Sequence, residues 1–397
     1  MWQQALDRAI NNRFAEIVAL RRHLHMHPEP SGEEFQTSLT IYQKLGEVGY
    51  HVRMAAEGRG VIADSSASAN GQPLLALRAD MDALHIHDAK SVVYRSTCPG
   101  IMHACGHDAH TAIVFGVLAS LHDLESRGEL PWPVRVRGIF QPAEETGKGA
   151  TEMIASGALD GVTAILANHM DPTRKVGRIA LKAGVLTANC DDMQITITGR
   201  GGHAARPHET RDPIAAAAQL ISALYLFVPR STDSQDAVVV TIGQVRAGDN
   251  PNVIPERVEL HGTLRTLSAD VRRKTIDQIR QIAHGVGQTT DTRIEVQFDN
   301  GSPSVENSVE LIDLLRIAGT DALGREGIEF IPRPSMGGED FSFYLAQVSG
   351  AMLRIGSTSE KAGGHPLHSP NFDIDEESLR VAARVMARAA IMWNQPK

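Results

Sequence analysis

Apolar positions recur at helical spacing through residues 2–24, and a second helical stretch over about 33–48 follows the turn HPEPSGEE. The pattern then changes. Pro73–Ala79 (PLLALRA) is a short apolar run bounded by polar residues, the signature of a buried strand, and it stops at Asp80-Met81-Asp82. Residues 109–125 are rich in Ala, Val and Leu over a helix length. Val134–Phe140 reads as a further strand ending just before Glu144 and Glu145, and Ala164–Ala167 as a third ending at His169. Strands alternating with helices predict an α/β fold with a mainly parallel sheet. The tract 65–71 (SSASANG) reads as a loop tip.

From about residue 190 the order becomes strand (192–198), helix (213–228), strand (237–245), strand (258–264), helix (269–284), strand (293–298). This β-α-β-β-α-β order predicts a ferredoxin-like unit. It is expected as an insertion, because helical and strand segments resume after about residue 303. The predicted organisation is a catalytic domain in two parts, 1–187 and 301–397, around an inserted domain, 188–300. A chain of 397 residues also exceeds the usual size of a single core.

Composition narrows the function. Hydrophobic content of 42% and charged content of 22% are those of an ordinary globular protein. A net charge of −8 without a Lys/Arg-rich run argues against a nucleic-acid surface. Three cysteines, Cys98, Cys105 and Cys190, are too few for a disulfide framework, although Cys98 and Cys105 are close enough in sequence to pair. The charged N-terminal segment is unlike a signal peptide, no apolar stretch is expected to reach transmembrane length, and the cytoplasm is the default location.

The run Met102-His103-Ala104-Cys105-Gly106-His107-Asp108, the pair Glu144-Glu145, Asn168-His169-Met170 and the HPLH segment ending at His368 together offer thiolate, imidazole and carboxylate groups. Such donors in short separate motifs suit a divalent metal centre. Cysteine binds metal as thiolate, so Cys105 is expected to be oxidation-sensitive unless metal is bound. Adjacent side chains in extended backbone diverge, so one of Glu144 and Glu145 would hold metal and the other water. Asp80 and Asp82 follow a buried strand. Either could orient a metal-binding imidazole, or could simply cap a helix or turn. The chain has 17 histidines, so most are not ligands. His23, His25 and His27 read as helix-end and turn residues. His203 lies in the glycine-rich turn GRGGHA, which either approaches a substrate or is a plain hairpin.

Taken together, the segments LHMHPEPSGEE, LRADMDAL, GIMHACGHDAHTA, FQPAEE, NHM, GRGGHAARPHETRDPI, NPNVIPERVEL, GTLRT, MGGEDFSFY and LHSPNFDIDE resemble the M20 metallopeptidase family, and within it the amidohydrolase branch of N-acyl-amino-acid and hippurate hydrolases. They span almost the whole chain in order. The resemblance implies a zinc-peptidase-like catalytic domain with an inserted lid that dimerises. It also implies two divalent metal ions per subunit held by Cys105, His107, Glu145, His169 and His368. In the wider family a bridging carboxylate stands in place of Cys105, and a histidine ligand in place of Asp80. Manganese or zinc is expected, with nickel and cobalt as further candidates.

The same resemblance makes Glu144 the general base and Asp82 the carboxylate behind the metal site. His203 and Asn252 become lid residues reaching the neighbouring subunit's site, Arg265 a clamp for a substrate carboxylate, and Gly337 and Gly338 part of the substrate cleft. The implied reaction is hydrolysis of an N-acyl amino acid in a homodimer or higher homo-oligomer, with no nucleic-acid or membrane partner. A dipeptidase or aminobenzoyl-glutamate hydrolase on the same scaffold is the alternative, and a non-catalytic metal-binding protein the alternative of another class.

Overall fold

The computed structural model describes residues 2–66, 73–360 and 362–396, so most of the expected loop tip at 65–71 lies outside the described residues. The chain divides into two compact units.

The first unit comprises Met1–Gly184, Glu306–Arg333 and Asp340–Lys397. Among the described residues its sheet has eight strands, in the order His51–Met54, Val61–Asp64, Val136–Gln141, Leu74–Asp80, Val162–Lys175, Ser349–Thr358, Ile179–Leu181 and Ile328–Phe330. The four central strands run parallel; the strands joined to them on either side run antiparallel to them, and the outermost pair at one edge, Ile179–Leu181 with Ile328–Phe330, is again parallel. This is the α/β architecture with a mainly parallel sheet. Every residue of Leu74–Asp80 is buried, as a central strand covered on both faces requires.

Helix His107–Ser126 packs against helices Trp2–Met26 and Glu377–Trp393. Where it meets the first, a Cβ on Gly116 would stand 2.4 Å from Ile17 Cδ1, so any larger residue there would make the Ile17 side chain move. Val162–Lys175 is longer than the sequence pattern suggested and runs straight through His169. Its pairing with Ser349–Thr358 continues past that residue and outweighs the polar composition there.

The second unit comprises Val185–Val305 with Pro334–Glu339. Its sheet has the order Val238–Ala247, Arg257–Thr266, Asn189–Thr198, Arg293–Ser302, with all pairs antiparallel, as β-α-β-β-α-β connectivity dictates. Helices Pro213–Ser231 and Ala269–Thr290 begin at side-chain caps from Asp212 and Ser268. They bury Leu220, Leu224 and Ile279 against Ile195, Ile197 and Leu260.

Two expectations are corrected here. Residues 334–339 belong with the inserted unit, because Ser335 N–H donates to Leu186 O and Ala188 N–H to Gly337 O. And one helix, Pro213–Ser231, is apolar and long enough to cross a membrane by length and composition. Its inner face, including Ala216, Leu220 and Leu224, is packed in the core of this unit.

Candidate metal centre

Gly106 (φ 89°) adopts the left-handed conformation and lets the chain turn from Cys105 directly into the helix that opens at His107. Both residues are thereby delivered to the C-terminal ends of the parallel strands, where α/β sheets place ligands. Asp82, just beyond its strand, accepts a 2.9 Å hydrogen bond from His107 Nδ1. It also accepts from Ser31 Oγ at 2.6 Å and from the Glu145 backbone N–H at 2.9 Å. Burial opposes charge on Asp82, but the bond from His107 holds its pKa below the usual carboxylate range. With Nδ1 engaged, His107 Nε2 is buried without a hydrogen-bond partner and is the nitrogen left to face the site. Asp82 thus fixes the orientation of the His107 ring.

Asp80 acts differently. One oxygen takes Arg78 Nη1 and the other His110 Nδ1, each at 2.6 Å. His110 Nε2 in turn accepts the Met170 N–H at 2.9 Å, so both its nitrogens are used. Arg78 also bonds Gln141 Oε1 and Asp340 Oδ1, and Asp340 accepts from the Ala150 N–H. This fully buried chain ties together three neighbouring strands, at the ends of Leu74–Asp80 and Val136–Gln141 and within Val162–Lys175. Of its members, sequence reasoning missed Arg78, His110 and Asp340. The signal for Arg78 was present: a lone charge inside the apolar run LLALRAD.

Cys105 Sγ lies 3.6 Å from His169 Nε2, while His169 Nδ1 donates to Met170 O at 2.8 Å. Burial, followed by the charges of Arg354 and His110, drives the His169 pKa well below the usual imidazole range. Burial and Glu145 push the Cys105 thiol up to about 12. The polypeptide alone thus holds Cys105 as a buried thiol, not the oxidisable thiolate expected from sequence. All three cysteines are free, so Cys98 and Cys105 are not paired.

The two glutamates project from a tight turn in which Ala143 has φ 53° and Gly149 packs where a Cβ would lie 1.6 Å from Pro142 O. The expected divergence is only partial: Glu144 Oε2 and Glu145 Oε1 each stand 3.9 Å from His107 Nε2. Glu145 Oε1 is also 3.2 Å from His368 Nε2. His368 itself sits at φ 61° with its N–H on Ala104 O.

Among the described residues, five overlapping groups of donors have ligand atoms within 4.8 Å of one another; two of them, Cys105–His107–His169 and Cys105–Glu145–His368, are made up of the residues expected as ligands. These two sets share Cys105. Together with the orphaned His107 Nε2, they fit a centre of two ions.

His25 lies in the last turn of its helix, as its sequence position suggested, and is also a buried hub. Its Nδ1 lies 2.8 Å from Asp108 Oδ2 and its Nε2 3.3 Å from Asp88, with Arg21 also on Asp108. In the second unit, His203 and Asn252 are brought together: Val253 is the register partner of His203, and Ala204 N–H donates to Asn252 O. Both are exposed. Arg265 Nη1 donates to Met336 O and lies 3.2 Å from Cys190 Sγ. Gly338 abuts the same cysteine, at 3.0 Å from its would-be Cβ, and Gly337 O accepts the Ala188 N–H.

A parallel α/β sheet with such donors clustered at one edge fits a metal-binding enzyme. The sequence profile of peptidase family M20/M25/M40 matches residues 76–392, and the chain belongs to that family. It is 40% identical over 380 residues to a probable hydrolase of Synechocystis, covering 96% of each chain. It is 38% identical to an N-acetyl-L-cysteine deacetylase of Bacillus subtilis, covering 94% of this chain and 87% of the relative. The solved YXEP protein of Bacillus subtilis, described as a dinuclear metal-binding peptidase of the M20 family, superposes with a TM-score of 0.82 at 34% identity, covering 96% of this chain and 98% of that one. The protein is accordingly an M20 amidohydrolase acting on the amide bond of a small substrate.

Proposed function

We propose that the chain hydrolyses N-acyl amino acids to a carboxylic acid and a free amino acid, with two divalent ions per subunit held by Cys105, His107, Glu145, His169 and His368. The observation that carries the reading is the pair of donor sets meeting at Cys105 with Glu144 beside them. The deacylating relative in Bacillus supports the acyl-amino-acid class. When bound, the ions supply Lewis acidity to the attacking water and the acyl carbonyl.

The residues do the rest. Glu144 takes the proton of the attacking water and returns it to the leaving amine nitrogen. Asp82 holds the His107 tautomer, and Asp80 with Arg78 keeps the strand ends fixed. Ala205 N–H donates to His203 Nδ1, which leaves the His203 proton on Nε2 as a hydrogen-bond donor. In this reading it and Asn252 stabilise the oxyanion in a neighbouring subunit. Dimerisation through the inserted unit is supported by exposed Tyr225, Leu226 and Phe227 on its apolar helix and by the edge strand Val238–Ala247.

Glu144→Gln tests the mechanism. Metal content measured by elemental analysis is expected to match wild type, while turnover of N-acetyl amino acids and hippurate falls by at least about 100-fold. Wild-type turnover in that variant rejects the assignment. A wild type that cleaves dipeptides in preference to acyl amino acids moves the substrate class to the dipeptidases.

A further inference from the structure

Strand Ser349–Thr358 carries Arg354 as register partner of His169 on one side and of Ala180 on the other. Register partners on neighbouring strands stand about 5 Å apart and project to the same face, so Arg354 shares the face of the sheet that presents His169. Ala180 offers only a methyl group beside it. The next partner, Glu329, is held by Arg174 and Arg178. Arg354 makes no hydrogen bond or ion pair among the described residues, although it is half-buried. An unpaired guanidinium of this kind, a planar fork of donors next to a metal ligand, is arranged to receive a carboxylate.

We propose that Arg354 anchors the carboxylate of the substrate's amino-acid part, an assignment that rests on the acyl-amino-acid reading above. That carboxylate is borne on the carbon attached to the scissile nitrogen, so its anchor has to stand beside the metal ligands, where Arg354 is. Arg265, the clamp expected from sequence, already donates to Met336 O. The anchor makes the free carboxylate a requirement for tight binding and sets the enzyme against neutral acyl amines and blocked peptides.

The test compares N-acetylmethionine with N-acetylmethioninamide, in which a neutral carboxamide replaces the carboxylate. Wild type, Arg354→Met, Arg354→Lys and Arg265→Met are assayed on both, and metal content is measured alongside. Arg354→Met is expected to lower kcat/KM for the acid by about 10- to 100-fold, chiefly through KM, and to cost the carboxamide much less. Arg354→Lys, which keeps the charge but not the fork, is expected to recover part of the loss. Equal losses on both compounds, or a carboxylate-specific loss that follows Arg265→Met instead, overturn the anchor and leave the hydrolase reading standing. A wild type that cleaves neither these compounds nor hippurate overturns the hydrolase reading. Calorimetric binding of N-acetylmethionine to Glu144→Gln, with and without Arg354→Met, then decides the anchor separately: unchanged affinity, or no binding to either chain, rejects it.

Discussion

Cys105 combines two properties that pull against each other. Its sulfur belongs to both donor sets, yet burial and the Glu145 carboxylate keep it protonated, with the thiol up at about 12 in the polypeptide alone. A metal binds only the thiolate, so uptake at pH 7–9 has to expel the Cys105 proton. The sign follows directly: below the thiol pKa the metal competes with a proton, so affinity rises with pH by about tenfold per unit from this ligand alone. Zinc titration of chelator-treated protein in weak buffer is expected to release one more proton per subunit from wild type than from Cys105→Ser. Equal release from the two would show that Cys105 is not a ligand. The residue types of the centre were readable in the motifs, but their protonation was not. It depends on burial and on partners such as Glu145 that lie far along the chain.

The turn carrying Glu144 and Glu145 is an element held from outside. Glu34 Oε1 accepts the N–H of Ala143 at 2.8 Å and that of Gly32 at 2.9 Å, which pins the positive-φ residue just before the two glutamates. Burial, against those two backbone bonds, pushes the Glu34 carboxyl up to about 7. A carboxyl whose folded pKa is raised binds its proton more tightly when folded, so its contribution to stability falls as pH rises from its unfolded value toward 7. Glu34→Gln keeps the accepting oxygen and cannot ionise. Its Tm is expected to decline less than that of wild type between pH 5 and 7, and parallel pH profiles would refute the assignment. At this scale the long helices and the buried strand Leu74–Asp80 were legible because their periodicities persist over enough residues. His51–Met54 and Val61–Asp64, of four residues each, are too short to show one. The brace joining Arg78 to Asp340 spans 262 positions and leaves no local trace beyond the lone charge in its strand.

The two-unit organisation poses a question that no single residue answers: whether each subunit completes its own site. The inserted unit presents His203 and Asn252 together on a short exposed ribbon. It also leaves apolar Tyr225, Leu226 and Phe227 uncovered on its helix. A second copy docked through that unit would bury the apolar face and carry the ribbon to the neighbour's metal centre. If so, Glu144 and His203 act on one substrate from different chains, and damage to either should be repairable by mixing. Glu144→Gln and His203→Ala are each expected to lose about 100-fold or more in kcat. A random mixture of the two refolded together places both lesions in one site of each heterodimer and leaves its other site intact. With half the dimers mixed and one good site in each, the preparation should recover about a quarter of wild-type activity. Catalysis completed within each chain predicts no recovery, because every subunit then carries a lesion of its own. Size measurement of the same samples by light scattering separates that result from a failure to assemble, since the proposal requires the mixture to be dimeric before it is active.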